Sequence, residues 1–359
     1  MQKNSILSLR PGPMNRRSFL RLSGLLGLGL ASTSIIPATA EAVKFNKNMY
    51  KVSKTNLKMG TFVSMTLIDP SKNKAQEAMG LAFEEIDRLT GLMNRFDNRT
   101  AVAQLNREGL LKDVPPEVAE VIAKGIDYYQ LTKGAFDISV KPIVDLFKES
   151  FAGNKTVPPS NNKLEQALDL IGSYRIEIEG RMLRFKKPGM GITLDGIAKG
   201  YIVDRASMVL ASHGIKNHLI NAGGDIRAMG SRQDRKPWTV AIQDPKKNGK
   251  YPDIIKMTDG AIATSGNYEA YFDHEKVFHH IINPETGHSP GISTSVSIMA
   301  RTAMDADALS TSVFVMNPAQ GNRLINSLPA CECLVITKGG TKHRSAGWKK
   351  SVFTRSDQS

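Results

Sequence analysis

The stretch "YRIEIEGRMLRFKKPG", residues 174–189, decides the fold class. Apolar and polar residues alternate on both sides of Glu179-Gly180, the pattern of two short strands joined by a tight turn. Consecutive parallel strands would need a long crossover instead. Working outward, "MGTFVSMTLID" (59–69), "HLINAGGDIRAMG" (218–230), "WTVAIQDP" (238–245), "IIKMTDGAIATSG" (254–266), "KVFHHIINP" (276–284) and "ECLVIT" (332–337) read as strands with turns between. Helical spacing marks 75–94, 115–134, 163–172, a segment ending at Gly214, and 302–316. A short helix follows the turn at "RFDNRT". Residues 41–56 read as an extended lead-in and 153–162 as a Gly/Pro/Asn loop. Strands grouped in hairpins, among helices that do not alternate with them, predict an α+β fold with mixed or antiparallel sheets.

The helix "TAMDADALSTSVFVM" (302–316) is odd. It is apolar enough to be buried, yet it carries Asp305, Asp307, Ser310, Thr311 and Ser312. Buried acids are costly unless they are paired or bind a metal. Asp307 and Thr311 stand four apart, one turn from each other on one face. Two oxygens so placed suit a hard cation such as Mg²⁺. Asp305 reads as an ordinary helix N-terminal acid.

The first forty residues belong to another class. "NRRSFLRLSGLLGLGLASTSIIPATA" has a basic head, an apolar stretch and Ala38-Thr39-Ala40, the pattern of an export signal with cleavage before Glu41. Arg16-Arg17 followed by Ser18-Phe19-Leu20 resembles a twin-arginine signal. The apolar stretch is short for a membrane anchor, and no Cys follows it to carry a lipoprotein anchor. A periplasmic protein is expected, residues 41–359 forming one domain. Its charge falls from +14 for the whole chain to +9, because residues 1–40 hold five Lys/Arg and no acid. A basic chain favours anionic ligands or a membrane surface. No helix-turn-helix, zinc-finger or RNP pattern accompanies the charge, so nucleic acid is not an expected partner. Cys331 and Cys333 read as small core residues, with a strained disulfide as the alternative.

The usual nucleotide motifs are absent from residues 41–359. "DHEKVFHH" misses the zinc-protease H-E-x-x-H by one residue. What remains is a series of Gly-flanked polar clusters: "GAFDIS", "TLDGIAKG", "NAGGDIRAMG", "ATSGNY" and "HHIINPETG". Gly-rich turns and helix N-termini present N–H groups to phosphates. Together the clusters point to one site for an extended, phosphate-bearing ligand.

These segments bring a resemblance into view. "MGTFVSMTL", "MNRFDNRTAVAQLN", "GAFDISVKPIVDLF", "TLDGIAKGYIVDRA", "NAGGDIRAMG", "ATSGNYEAYF", "HHIINPETGHSP" and "TAMDADALSTSVFVM" follow one another as in the ApbE family, the FAD:protein FMN transferases. The resemblance implies a T-fold-like α+β architecture, Mg²⁺ dependence and FAD as donor. It implies FMN joined by a phosphoester to a Ser or Thr of an exported or membrane-bound protein. Acceptors would be flavoprotein subunits of sodium-pumping NADH:quinone reductase or Rnf-type complexes, or exported flavin-carrying reductases. The metal ligands implied are Asp307, Thr311 and the backbone carbonyl of Ala198, with Ser310 in support. The FAD contacts implied are Met59, Phe96, Ala135, Phe136, Asp137, Asp195, Tyr201 and Ile281. Phe96 stands where the family often has Tyr, so a ring remains without its hydroxyl. Lys199 reads equally as a phosphate contact and as a solvated helix-end lysine.

Histidine suits the proton transfer that the acceptor hydroxyl needs. The strand reading puts His279 and His280 on opposite faces and does not choose between them. The family pattern, a His directly before I-I-D-P, chooses His280. The family Asp is Asn283 here, which keeps the turn geometry without the charge. Two other functions fit the same residues: a pyrophosphatase splitting FAD into FMN and AMP, and a non-catalytic flavin-binding protein.

Overall fold

A computed structural model describes residues 41–46, 48–152, 157–232, 236–246, 251–268, 271–273, 278–348 and 352–353. The leader expected over 1–40 lies outside the described residues, as do 153–156 of the expected loop and 276–277 of an expected strand. The chain opens with β1 (Glu41–Asn46), β2 (Met49–Lys58) and β3 (Thr61–Asp69). Then come α1 (Lys72–Met93), α2 (Ala101–Glu108), β4 (Leu110–Leu111), α3 (Pro116–Leu131), α4 (Lys141–Ser150) and α5 (Asn161–Leu168). The hairpin β5 (Ile176–Glu179) and β6 (Met182–Phe185) precedes α6 (Ala198–Ser212), β7 (His218–Ala222), β8 (Asp225–Met229), β9 (Trp238–Ala241), β10 (Ile254–Met257) and β11 (Asp259–Gly266). β12 (Ser293–Ala300), α7 (Ala303–Val315), α8 (Pro318–Ser327), β13 (Glu332–Thr337), β14 (Lys342–Arg344) and β15 (Val352–Phe353) complete it.

Nine strands form one antiparallel sheet in the order β1-β2-β3-β7-β8-β11-β12-β13-β14. Alternation along its strands assigns the two faces. Val63, Met65 and Leu67 of β3, Ala261 and Ala263 of β11, and Val296 and Ile298 of β12 enter the main core with α1, α6 and α7. Their neighbours Ile68, Ile262 and Met299 enter a second core, closed by Trp238 and Val240 of β9 and by Trp348. Both faces are therefore covered, which accounts for the nearly continuous burial along β12. The fold is α+β, as the hairpins predict.

Four local readings change. Residues 41–58 form two strands rather than a lead-in: β2 pairs with β3 from Tyr50↔Asp69 to Lys58↔Thr61. Val52 is the only fully buried residue along β2, so no apolar alternation announces the strand. The 174–189 hairpin forms, but it pairs with β4 in a separate three-stranded sheet. "KVFHHIINP" keeps only an isolated bridge, Tyr271↔His279, among the described residues. The chain there turns back at once, with Asn283 N–H donating to His288 O at 2.8 Å and Gly287 N–H to Asn283 O at 2.8 Å. Helices α4 and α8 were not expected. The second announces itself only through Asn317-Pro318, where the Asn317 side chain accepts from Gln320 N–H at 2.9 Å.

Helices α6 and α7 cross where Gly200 meets the start of α7. A Cβ at 200 would lie 2.3 Å from Ala303 O and 2.7 Å from Met304 Cα. Alanine would gain about 1 kcal/mol of helix propensity, but the backbone oxygen it meets cannot rotate away. Gly200→Ala should therefore lose about 2 kcal/mol net, measured by urea denaturation at pH 7. An unchanged midpoint would contradict this crossing.

His218, on β7, is fully buried, with Nε2 2.7 Å from Ser207 Oγ and Nδ1 3.2 Å from Ile215 O. Burial pulls its pKa down to about 4. As pH falls below the ordinary histidine value of about 6.5, the unfolded chain takes up this proton first. Stability should then fall between pH 6.5 and 4, by about 3 kcal/mol from this group. That component should vanish in His218→Leu when denaturation is compared at pH 7 and 4.5.

Candidate active site

The crossing of α6 and α7 sets the site. Ile197, before α6, gives that helix no side-chain cap. The missing acceptor comes from α7: Asp307 Oδ2 accepts from Gly200 N–H at 3.1 Å. The service is returned. Asp204, on α6, accepts from Ala303 N–H and Met304 N–H of α7, each at 2.9 Å. Thr302 Oγ1 accepts from Asp305 N–H at 3.1 Å, so the first three donors of α7 are satisfied. Asp305 closes the same end, its Oδ1 2.5 Å from the Tyr128 hydroxyl. Burial raises the Asp204 pKa to about 6, against the two N–H bonds and Arg227.

Asp307 is 5% exposed. Its carboxyl is pushed well above the usual range by burial first and then by the nearby Asp225 carboxylate; Lys199 and the Gly200 N–H act in the opposite direction, and Asp195 adds to the rise. Asp225 ion-pairs with Lys199 at 3.2 Å. Lys199, undecided from sequence, thus faces the β7–β8 turn. That turn is built by Asn221 Oδ1 accepting from Gly224 N–H at 3.0 Å. It packs on the β2–β3 turn so closely that a Cβ at Gly223 would lie 2.4 Å from Thr61 Oγ1. Met59, half-buried, sits in that second turn with φ +52°, a conformation few side-chain-bearing residues adopt. Two hairpin turns and two helix starts therefore converge.

The hydroxyls of α7 form a directed chain. Ser310 Oγ donates to Asp307 O at 2.9 Å and lies 2.7 Å from Ser265 Oγ on β11; Ser265 Oγ lies 3.3 Å from Thr311 Oγ1. With the Ser310 proton committed, Ser265 donates to Ser310, and Thr311 donates to Ser265. The lone pairs of Thr311 remain unspent. A Cβ at Gly196 would come within 3.2 Å of Thr311 Oγ1 and 3.3 Å of Phe136, so the chain before α6 runs between them. Ala198 is the first residue of α6.

Among the described residues no three His, Cys, Asp or Glu side chains gather as a metal cage. The donor set is of another kind: one buried carboxylate and unspent hydroxyl lone pairs, with the backbone at Gly196 close by. Asp225 and Asp195 add negative charge around it. Oxygen donors in an acid-rich setting fit a hard divalent cation.

A second group lies at Asp195. Arg95, 5% exposed in its side chain, holds the Asp195 carboxylate at 3.0 Å and 3.1 Å and reaches Asp145 at 3.5 Å. The Phe96 ring is 68% exposed, with the Arg95 guanidinium 4.3 Å and the Lys148 ammonium 4.6 Å from its centre. An exposed ring held among cations suits an anionic ligand.

Other expected contacts are engaged within the protein. The buried Tyr201 donates its hydroxyl to Glu120 on α3 at 2.8 Å. Phe136 and Ile281 are buried in the main core. Asp137 is an internal cap: Oδ1 accepts from Ser139 N–H, Ser139 Oγ and Ser173 Oγ at 2.6–2.7 Å. Ala135 and Asp137, with Asn283, Met316 and Arg323, line a cavity of about 760 Å³ beyond the C-terminal end of α7. None of Asp307, Thr311 and His280 lines it. The Asn283 turn survives the loss of the acid, since Oδ1 accepts from Glu285 N–H at 2.9 Å. His280 is exposed and His279 buried. Cys331 and Cys333 are free thiols, and burial raises each to about 12.

Sequence reasoning misses Arg95, Asp204 and Ser265. Ser265 lies within one of the Gly-flanked clusters, "ATSGNY", and could have been found there. Arg95 is overshadowed by Phe96. Asp204 carries no signal, being one acid in a helical pattern.

The ApbE family model matches residues 59–335. A curated FAD:protein FMN transferase of Vibrio cholerae is 31% identical over 276 residues, 74% of this chain and 83% of that protein. One of Haemophilus influenzae is 26% identical over 91% of this chain and 98% of its own. Among solved structures, the ApbE protein of Thermotoga maritima superposes with a TM-score of 0.75 at 31% identity, covering 84% of this chain and 98% of that one. The flavin transferase ApbE of Vibrio cholerae gives 0.72 at 27% identity, covering 88% and 100%. With more than three quarters of its length matched, and the converging turns and helix starts lying inside the match, this chain belongs to the ApbE family.

Proposed function

We propose that this protein transfers FMN from FAD to a Ser or Thr hydroxyl of an exported or membrane-bound protein, with AMP as the other product. The observation that carries the reading is the face formed by the buried Asp307 and the half-buried Thr311, held at the α6–α7 crossing amid further carboxylates. The names of the relatives support the donor and the product. Asp307, Thr311 and the Ala198 carbonyl would hold Mg²⁺, with Ser310 steadying the helix beneath. When bound, the ion would neutralise diphosphate charge.

The chain's own groups supply the rest. Phe96, flanked by Arg95 and Lys148, offers a stacking face for a flat ring. Lys199 lies beside the acids, where an anionic phosphate would find a cation. His280, exposed at the site loop, takes the proton of the acceptor hydroxyl. That oxygen bonds to the FMN-side phosphorus, and the phosphoanhydride bond to AMP breaks with its electrons on the leaving phosphate. Positioning and charge neutralisation carry such a transfer. Export belongs to the same proposal: residues 1–40 are removed, and acceptors are flavin-carrying subunits of membrane redox complexes or exported reductases.

Incubated with FAD, Mg²⁺ and an acceptor domain, the protein should add one FMN mass to a single hydroxyl. Asp307→Ala should lower the transfer rate at least a hundredfold, and chelation of divalent ions should match it. Full labelling by that variant would sink the metal assignment. His280→Ala should cost about 10²- to 10⁴-fold while FAD binding, followed by flavin fluorescence, stays intact; full labelling would remove His280 as base. Release of free FMN without acceptor would make the protein a pyrophosphatase instead. Sequencing the N-terminus of the exported form should begin at Glu41, and retention of the leader would overturn the export reading.

A further inference from the structure

His279, next to the proposed base, has a different environment. It is 2% exposed. Its N–H donates to Ser289 Oγ at 2.9 Å, and the Ser289 hydroxyl donates back to His279 O at 2.7 Å. The ring Nε2 lies 2.9 Å from Pro290 O. A carbonyl only accepts, so Nε2 carries the proton. Nδ1 is then a bare acceptor, and no hydrogen-bond partner meets it among the described residues. Burial favours this neutral ring.

A leucine would fill this space without stranding a nitrogen. An imidazole here strands one nitrogen and gains one directional bond, to Pro290 O. His279 stands edge-on to Phe314, with centroids 5.5 Å apart and planes at 88°, and also meets Tyr271 at 6.3 Å. Phe314 follows Asp307 by seven residues and Thr311 by three, so all three lie along one side of α7. At the helical rise, Phe314 is only about 4.5 Å along the axis from Thr311. The loop 279–290 is thus closed at its base by Ser289 and Pro290. It is seated by one ring on the helix that carries the proposed metal face.

We propose that His279 is the positioning residue of the reaction: fixed to Pro290 and seated on Phe314, it sets His280 at a defined distance from the Asp307–Thr311 face. The inference rests on His280 as the base. Adjacent residues here face opposite ways, the first buried and the second exposed. Once the ring no longer holds its place, a shift of the His279 backbone is carried to His280 through the shared peptide. Displacement of a reacting group by about 1 Å is worth up to about a hundredfold in rate.

The test uses the full exported chain with FAD, Mg²⁺ and an acceptor domain, in single-turnover and steady-state assays. His279→Leu keeps the bulk and removes the bond to Pro290. It should lower kcat about ten- to a hundredfold with KM for FAD within about twofold. His279→Gln, whose amide N–H can reach the same carbonyl, should recover most of that loss. In a His280→Ala background, His279→Leu should cost nothing more, because its effect passes through His280. Phe314→Leu should give the same kcat loss with KM unchanged, which keeps the question open to measurement if His279→Leu does not fold. Wild-type kcat in His279→Leu, or an equal loss in both backgrounds, would overturn the inference. A wild-type protein inert toward every acceptor would overturn the functional reading instead.

Discussion

Two acids exchanged between two helices hold the site. Asp204 of α6 takes the first two N–H groups of α7, and Asp307 of α7 takes an N–H in the first turn of α6. Each helix start takes a cap from the other helix, and α7 adds its own at Thr302. The exchange needs close approach, and Gly200 permits it by offering no Cβ to Ala303 O. The Asp307–Thr311 face, the Lys199–Asp225 pair and the seating of the 279–290 loop on Phe314 all refer back to this crossing.

The arrangement has an electrostatic cost. Burying Asp307 beside Asp225 and Asp195 raises its proton affinity, and Lys199 with one N–H offsets only part of that. A site built for stability alone would have fewer carboxylates or more lysines. Here the surplus is negative and oxygen-rich, while the Phe96 side carries Arg95 and Lys148. A ligand with a cation at one end and a flat anionic body at the other complements both halves. The same logic explains the Ser310–Ser265–Thr311 chain, which spends the serine protons on protein acceptors and leaves the threonine lone pairs unspent.

Much of this architecture is legible in the sequence. Hairpin alternation at 176–185 marks the fold class, and the Asp307–Thr311 spacing marks one helical face. Other features are invisible there for physical reasons. Strand β2 is half-exposed and lysine-bearing, so its identity lies in its pairing with β3 and not in its side chains. Asp204 and Arg95 act across distances that no local pattern encodes. The family pattern makes Asp137 and Tyr201 ligand contacts, while the structure shows their polar groups bonded to Ser139, Ser173 and Glu120. Alternation places His279 and His280 on opposite sides, and that survives although the segment is not a strand, because a turn closed by Ser289 produces the same inside–outside contrast.

The central sheet also dictates a history. Strand β3 finds its inner neighbour in β7, with Met65 opposite Ile220, and everything from α1 to α6 lies between them in the chain. A nascent chain emerging from the N-terminus can form the β1–β2–β3 meander at once, but its inner edge stays open until most of the molecule has been made. Such long-range pairing is slow, and open apolar edges aggregate. Synthesis thus passes through a period in which the N-terminal meander is vulnerable to wrong partners. A holdase bound to that edge would protect the protein during that period, and would be displaced by the arrival of β7.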